Sequence, residues 1–190
     1  MNVCVYGASS NRIGADYIEK TEELGKVLAQ AGHGLVYGAG GAGLMGAIAR
    51  GFYAQRGYIV GVVPKFLQVD GCIFEHCDEL IYTDTMRQRK QIMDDRCDAF
   101  VVTPGGVGTY EEFFEVYTTK QLGRHHKPII LYNINGYFEP VLQMLQATVD
   151  KNFMRERSLR LIAVADTPDE VLRLLGQTDE VVDIHETKFI

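Results

Sequence analysis

The run Pro104-Gly105-Gly106-Val107-Gly108-Thr109-Tyr110-Glu111-Glu112 combines residue types that can hold an anion and act on what is attached to it. Its glycines let backbone N–H groups approach a phosphate without side-chain obstruction, and a helix opening there adds unpaired amides and partial positive charge. Thr109 supplies a hydroxyl, and Glu112 follows one turn inside the helix. A bare phosphate site has no use for that acid, so its position raises the prospect of catalysis. A tight strand-to-helix turn with a solvated acidic first turn is the alternative for the same residues.

A second cluster, Thr85-Met86-Arg87-Gln88-Arg89-Lys90-Gln91-Ile92-Met93, concentrates cations in a chain whose formal charge is −6. An anionic ligand on such a chain needs local positive charge, and this segment offers it. On a helix, Met86, Lys90 and Met93 lie near one face with Arg89 beside them, although such a run can also be a solvated face. A third segment, Gly38-Ala39-Gly40-Gly41-Ala42-Gly43, fits the G-x-G-x-x-G pattern of dinucleotide sites. The next strand ends at Pro64-Lys65 where that pattern wants an acid, and close helix packing through Gly43 and Gly46 accounts for the glycines equally well.

These segments need elements to position them. Apolar runs at Val3–Tyr6, Leu35–Tyr37, Ile59–Val63, Glu79–Tyr82, Phe100–Val102, Ile129–Tyr132 and Leu161–Val164 read as strands. Helical periodicity is clearest over Asp16–Ala31, Leu44–Arg56, Met86–Arg96, Tyr110–Leu122, Tyr137–Val149 and Pro168–Leu175, with Gly32 and Gly123 as stop signals. The alternation predicts an α/β fold: a doubly wound, Rossmann-like parallel sheet with helices on both faces, in a single domain. Residues 1–176 form that nucleotide-monophosphate-binding domain, and 177–190 a polar, loosely attached C-terminal tail. Ligands of such sheets bind beyond the carboxyl ends of the strands. The loops at Gly7-Ala8-Ser9-Ser10, Gly38–Gly46 and Pro104–Thr109 are therefore expected to converge.

The acidic balance argues against a nucleic acid polymer or an anionic membrane as partner. No segment approaches the roughly 18 apolar residues of a membrane span, and Met1 leads straight into a strand, leaving no room for an export signal. Cys4, Cys72, Cys77 and Cys97 lack Cys-x-x-Cys spacing, so reduced thiols in a cytoplasmic protein are expected. His33, His76, His125, His126 and His185 lack zinc-ligand spacing, and neither a metal nor another cofactor is expected.

Met86-Arg87-Gln88-Arg89-Lys90 followed by Pro104-Gly105-Gly106-Val107-Gly108-Thr109-Tyr110-Glu111-Glu112 resembles the paired signature of the Lonely guy family of cytokinin riboside monophosphate phosphoribohydrolases. The likeness runs from Gly7-Ala8-Ser9-Ser10 through Gly43-Leu44-Met45-Gly46 to Gln121-Leu122-Gly123 and Lys127-Pro128-Ile129. It implies hydrolysis of the N-glycosidic bond of a purine riboside 5′-monophosphate, AMP or a cytokinin nucleotide, to free base and ribose 5-phosphate. The family's catalytic arginine and glutamate fall on Arg89 and Glu112. Its nucleotide contacts fall on Met86, Lys90, Gly105, Gly106, Gly108, Thr109, Glu111 and Thr118. The family commonly has histidine where this chain has Arg87, a difference that bears on base preference. The resemblance also implies a homodimer, for which Phe113, Phe114 and Tyr117 offer apolar surface unless they are core.

The chemistry of the residues agrees. Cleaving a ribosyl bond builds positive charge on the sugar, which a carboxylate near the anomeric carbon stabilises while orienting water; Glu112 suits that role. Arg89 stays protonated and suits a fixed cation that anchors the substrate and aligns Glu112. The sequence does not identify the proton donor to the leaving base. The label of lysine decarboxylase, often carried by this family, would demand a pyridoxal phosphate site that a compact domain with its glutamate on the phosphate loop does not suggest. A non-catalytic nucleotide or molybdenum-cofactor carrier on the same fold is the alternative, and the presence of both Arg89 and Glu112 speaks for the enzyme.

Overall fold

A computed structural model describes residues 1–67 and 71–177. Seven parallel strands, β1 (Asn2–Tyr6), β2 (Gly34–Tyr37), β3 (Ile59–Pro64), β4 (Glu79–Thr83), β5 (Ala99–Val102), β6 (Ile129–Tyr132) and β7 (Ala163–Ala165), form one sheet in the order β4-β3-β2-β1-β5-β6-β7. The helices are α1 (Ala15–Gln30), α2 (Gly43–Ala54), α3 (Met86–Arg96), α4 (Val107–Gln121), α5 (Glu139–Asp150) and α6 (Pro168–Leu175). The predicted α/β class and parallel sheet are therefore present. Except for Gln177, the expected tail at 177–190 lies outside the described residues.

Alternation along the strands builds two cores. Val3 and Val5 of β1 point to the face covered by Leu24 and Leu28 of α1, Phe52 of α2 and Val171 of α6. Cys4 and Tyr6 point to the opposite face, under Met93 of α3, Phe113 and Tyr117 of α4 and Leu145 of α5. Burial on both faces explains why the central strands read as unbroken apolar runs. Phe113 and Tyr117 are core residues, the Tyr117 hydroxyl donating to the Ser158 carbonyl at 2.9 Å. Gly32 and Gly123 take left-handed φ of 80° and 69° just past α1 and α4, the conformation that lets a helix stop there.

The strand order reverses at β1, which pairs with β2 on one side and β5 on the other. That reversal opens a crevice above the carboxyl ends of β1 and β5, where a ligand can settle between diverging loops. Among the described residues no helix is long and apolar enough to cross a membrane.

The corner joining α4 to β6 carries a pH-sensitive contact. The His125 ring lies 5.5 Å from Phe100, its Nε2 is 2.9 Å from the Val116 carbonyl, and its Nδ1 accepts the Lys127 N–H at 3.3 Å. That acceptance requires a neutral ring with its proton on Nε2. Burial lowers the His125 pKa; the Val116 contact and Asp94 oppose this, and Lys127 and Lys120 add to it. A group depressed in the folded state is protonated more readily when unfolded, so its contribution to stability is complete above about pH 6.5 and is lost on acidification. The melting temperature is expected to fall between pH 7.5 and 5.5, and His125→Gln to flatten that slope. Thermal melts of both proteins across this range check it, and equal slopes would remove His125 as the cause.

Candidate active site

Hydrogen bonds stitch the three predicted loops together. The Ala8 N–H donates to the Pro104 carbonyl at 3.0 Å, while the Leu44 and Met45 N–H groups donate to the Ala8 carbonyl at 2.8 and 3.2 Å. Asn11 Oδ1 accepts the Gly43 N–H at 2.8 Å. A Cβ on Gly43 would lie 2.5 Å from the Ala8 carbonyl oxygen, and one on Gly46 would lie 2.1 Å from that of Gly41. The second glycine loop thus serves close packing at these two positions. Lys65, which a dinucleotide reading would turn to a phosphorylated ribose, is exposed and paired with Asp84 at 2.7 Å.

The first glycine loop opens α4 earlier than expected, at Val107 rather than Tyr110. Gly106 precedes the helix and has no side chain to cap it, so no N-cap side chain bonds the first-turn amides. Gly106 and Gly108 are exposed, and a Cβ on either would meet nothing within 4 Å. Gly105 and Thr109 are buried together: a Cβ on Gly105 would lie 2.1 Å from Thr109 Oγ1. Thr109 is therefore tucked beneath the loop, and glycine at 105 leaves room for its hydroxyl.

The basic helix meets α4 through ion pairs made by Arg89 and Lys90. Thr85 and Gln88 form a capping box that fixes the start of α3. One turn in, Arg89 reaches across the sheet end, donating from Nε to the Val62 carbonyl at 3.2 Å and from Nη1 to Glu112 Oε1 at 2.8 Å. Arg89 and Glu112 are 7% and 9% exposed, which makes this a desolvated pair. A Cβ on Gly38 would fall 1.9 Å from Arg89 Nη2, so glycine at the end of β2 clears the path for the guanidinium. Burial raises the Glu112 pKa, with Arg89 opposing; the carboxyl titrates above its ordinary range.

Lys90 bridges Glu111 and Glu115 at 2.5 and 2.6 Å. Burial alone would lower its pKa, but these two carboxylates outweigh it and hold the ammonium above its ordinary value. Met86 is 38% exposed at the start of α3, whereas Met93 is wholly buried, so the expected apolar stripe divides into a surface residue and a core residue. Thr118 is exposed two helical turns beyond Glu111 on the outer face of α4.

The crevice also contains groups that sequence reasoning missed. A cavity of about 350 Å³ opens between Ala8, Ser10, Tyr17, Leu44, Gly105 and Tyr137. Tyr137 donates its hydroxyl to the Gly105 carbonyl at 2.6 Å. The signal for it was the Asn135-Gly136 turn at the carboxyl end of a strand beside β5. Among the described residues, no three His, Cys, Asp or Glu side chains gather as metal ligands would.

The model of the family described as "Possible lysine decarboxylase" matches residues 45–175. A cytokinin riboside 5′-monophosphate phosphoribohydrolase of Mycobacterium tuberculosis is 40% identical over 171 residues, spanning 90% of this chain and 91% of its own. One from Arabidopsis thaliana is 35% identical over 184 residues, spanning 97% of this chain and 85% of its own. In three dimensions, the molybdenum cofactor carrier protein of Chlamydomonas reinhardtii superposes with a TM-score of 0.68 at 23% identity, covering 93% of this chain and 98% of its own. The molybdenum cofactor binding protein of Rippkaea orientalis gives 0.68 at 20% identity, covering 92% and 93%. Identities this low establish a shared fold alone. The sequence matches extend over nearly the whole chain and include both motifs that meet in the crevice, and they show that the chain belongs to the Lonely guy family.

Proposed function

We propose that the protein hydrolyses the N-glycosidic bond of a purine riboside 5′-monophosphate, with Arg89 and Glu112 as its catalytic pair. The observation that carries this reading is a buried ion pair one helical turn inside an exposed, uncapped glycine loop. The Gly106 and Gly108 segment receives the 5′-phosphate on its free amides, which places the sugar over the start of α4. As the bond from the anomeric carbon to the base nitrogen breaks, positive charge grows on the sugar. The Glu112 carboxylate stabilises it and orients the water whose oxygen bonds to that carbon, and the proton balance closes when the departing base is protonated. Arg89 keeps Glu112 ionised and fixed. Met86, Lys90, Glu111 and Thr118 complete the proposed contacts, and two copies of the chain form the proposed homodimer.

A decarboxylase using pyridoxal phosphate needs a lysine that readily becomes a neutral amine. Lys90, the lysine at this site, is held in the opposite direction by Glu111 and Glu115, so the residues do not fit that cofactor. The test is incubation with AMP and, separately, with isopentenyladenosine monophosphate, following free base and ribose 5-phosphate by chromatography. Release of both products is the expected result. Binding of AMP without release would point instead to the carrier role.

Gly38 gives a more local check. Gly38→Ala is expected to lower turnover at least about tenfold, near 1.4 kcal/mol of barrier, by pushing the Arg89 guanidinium off Glu112. The displaced atom ends a flexible side chain but leaves a buried partner, so the melting temperature should fall as well, by less than in Arg89→Ala. Unchanged turnover would show that the geometry of the pair is not critical.

A further inference from the structure

Tyr137 stands where a left-handed turn, an apolar cavity and the anion loop meet. The turn before it holds Asn135 and Gly136 at φ of 55° and 73°, a region that asparagine and glycine tolerate, and its surroundings keep it in place. Here they do so from several sides. Asn135 bonds Asp16 and Lys20 of α1, and Asn133 accepts the Phe138 N–H at 2.7 Å while its amide donates to Glu139 and Asp166. Tyr17 packs edge-on against the Tyr137 ring at 6.2 Å, and Phe138 does so at 5.2 Å. The outcome of all this fixing is one contact, the Tyr137 hydroxyl donating to the Gly105 carbonyl at 2.6 Å. Tyr110, from the first turn of α4, donates its own hydroxyl to Tyr137 at 3.4 Å and completes a relay in which each hydroxyl is donor to the next. Burial, with the Tyr137 contact adding to it, pushes the Tyr110 phenol up to about 12, so it remains a donor at neutral pH.

We propose that Tyr137 is a positioning residue for the anion loop, holding the Gly105–Gly106 peptide so that the Gly106 N–H faces the phosphate of the bound ligand. In a trans peptide the carbonyl and the following N–H point in opposite directions, so anchoring one aims the other. Gly106 has no side chain and no packing neighbour within reach of a Cβ, and the Tyr137 bond supplies the restraint that packing does not. The inference rests on the anion role proposed for the loop and not on the identity of the base.

Titration calorimetry with ribose 5-phosphate, on the wild type, Tyr137→Phe and Tyr110→Phe, tests it without requiring turnover. Tyr137→Phe keeps the ring between Tyr17 and Phe138 and loses the hydroxyl alone, so its melting temperature should match the wild type. Its affinity for ribose 5-phosphate should fall about tenfold, and in kinetic assays KM for the nucleoside monophosphate should rise by the same factor while kcat stays within about twofold. Tyr110→Phe, which leaves the Gly105 contact in place, should weaken binding by no more than about twofold. Equal binding by Tyr137→Phe and wild type would overturn the proposal, as would equal losses in the two variants, which would mean general loosening. Lack of base release by a wild type that still binds ribose 5-phosphate would count against the hydrolase reading and leave the Tyr137 comparison intact.

Discussion

Glu112→Gln is expected to reduce release of the base by about 10³-fold, within the range that a positioned acid–base or charge-stabilising group contributes, while ribose 5-phosphate still binds. The substitution keeps the shape of the side chain and an oxygen that can accept from Arg89 Nη1, now at 2.8 Å from the carboxylate. What it removes is the negative charge that the sugar encounters as the bond breaks. Loss of the counter-charge leaves Arg89 held by the Val62 carbonyl and the amide oxygen, at a cost of about 1–3 kcal/mol. The protein should therefore remain folded, and the loss should fall on kcat rather than on KM. In the wild type the rate should decline on acidification as Glu112 is protonated, and burial places this acid limb above the ordinary carboxylate range. The limb should vanish from the residual activity of the variant. Turnover within about threefold of wild type would remove Glu112 from the catalytic role.

Much of this arrangement was legible in the sequence because it depends on local patterns. Strand runs such as Phe100–Val102 and Ile129–Tyr132 are apolar throughout because both faces are covered, and the alternation with helices identifies a parallel sheet. Boundaries slipped where two signals coincide. Leu161 reads as strand but closes a 3₁₀ turn over Glu156–Leu161, since burial alone does not distinguish the two. Val107 and Gly108 are helical despite glycine's low propensity, because the Gly106 carbonyl already accepts the Tyr110 N–H at 3.1 Å and closes the first turn around them. Tyr137 looked like the beginning of a helix that in fact starts at Glu139.

The pairings across the crevice were legible only in part. Spacing and family resemblance set Arg89 beside Glu112 as a functional pair, yet the role of Gly38 was hidden, because it depends on β2 lying between β4 and β5, the strands that α3 connects. Tyr137 was hidden for the same reason. Its contact with Gly105 follows from β6 being the neighbour of β5, and strand order is decided by the packing of the whole chain. Candidate chemistry is thus legible from residue type and spacing, whereas the contacts that position it depend on strand order.

Arg89→Ala should have the larger effect on stability. Removing one partner of a buried pair leaves the other charged in a desolvated place, at a cost of about 3–5 kcal/mol against a typical domain stability of about 5–15 kcal/mol. Glu112 escapes part of that cost by taking up a proton. With Arg89 gone, the cause that lowers the Glu112 pKa is lost while burial still raises it, so the acid limb of any remaining activity should move to higher pH. Turnover should fall at least about 10²-fold, both through that neutralisation and through loss of alignment. Arg89→Lys should rescue little, because a single ammonium cannot reach the Val62 carbonyl and Glu112 with the fixed fork of a guanidinium. The decisive comparison is the double variant: the neutral amide introduced by Glu112→Gln needs no counter-charge, so adding Arg89→Ala to that variant should destabilise it by less than Arg89→Ala destabilises the wild type. Urea unfolding of the four proteins at pH 7.5 would measure that coupling, expected at about 1–3 kcal/mol. Additive losses would mean that the two side chains touch without depending on each other, and the pair would lose its standing as the unit of catalysis.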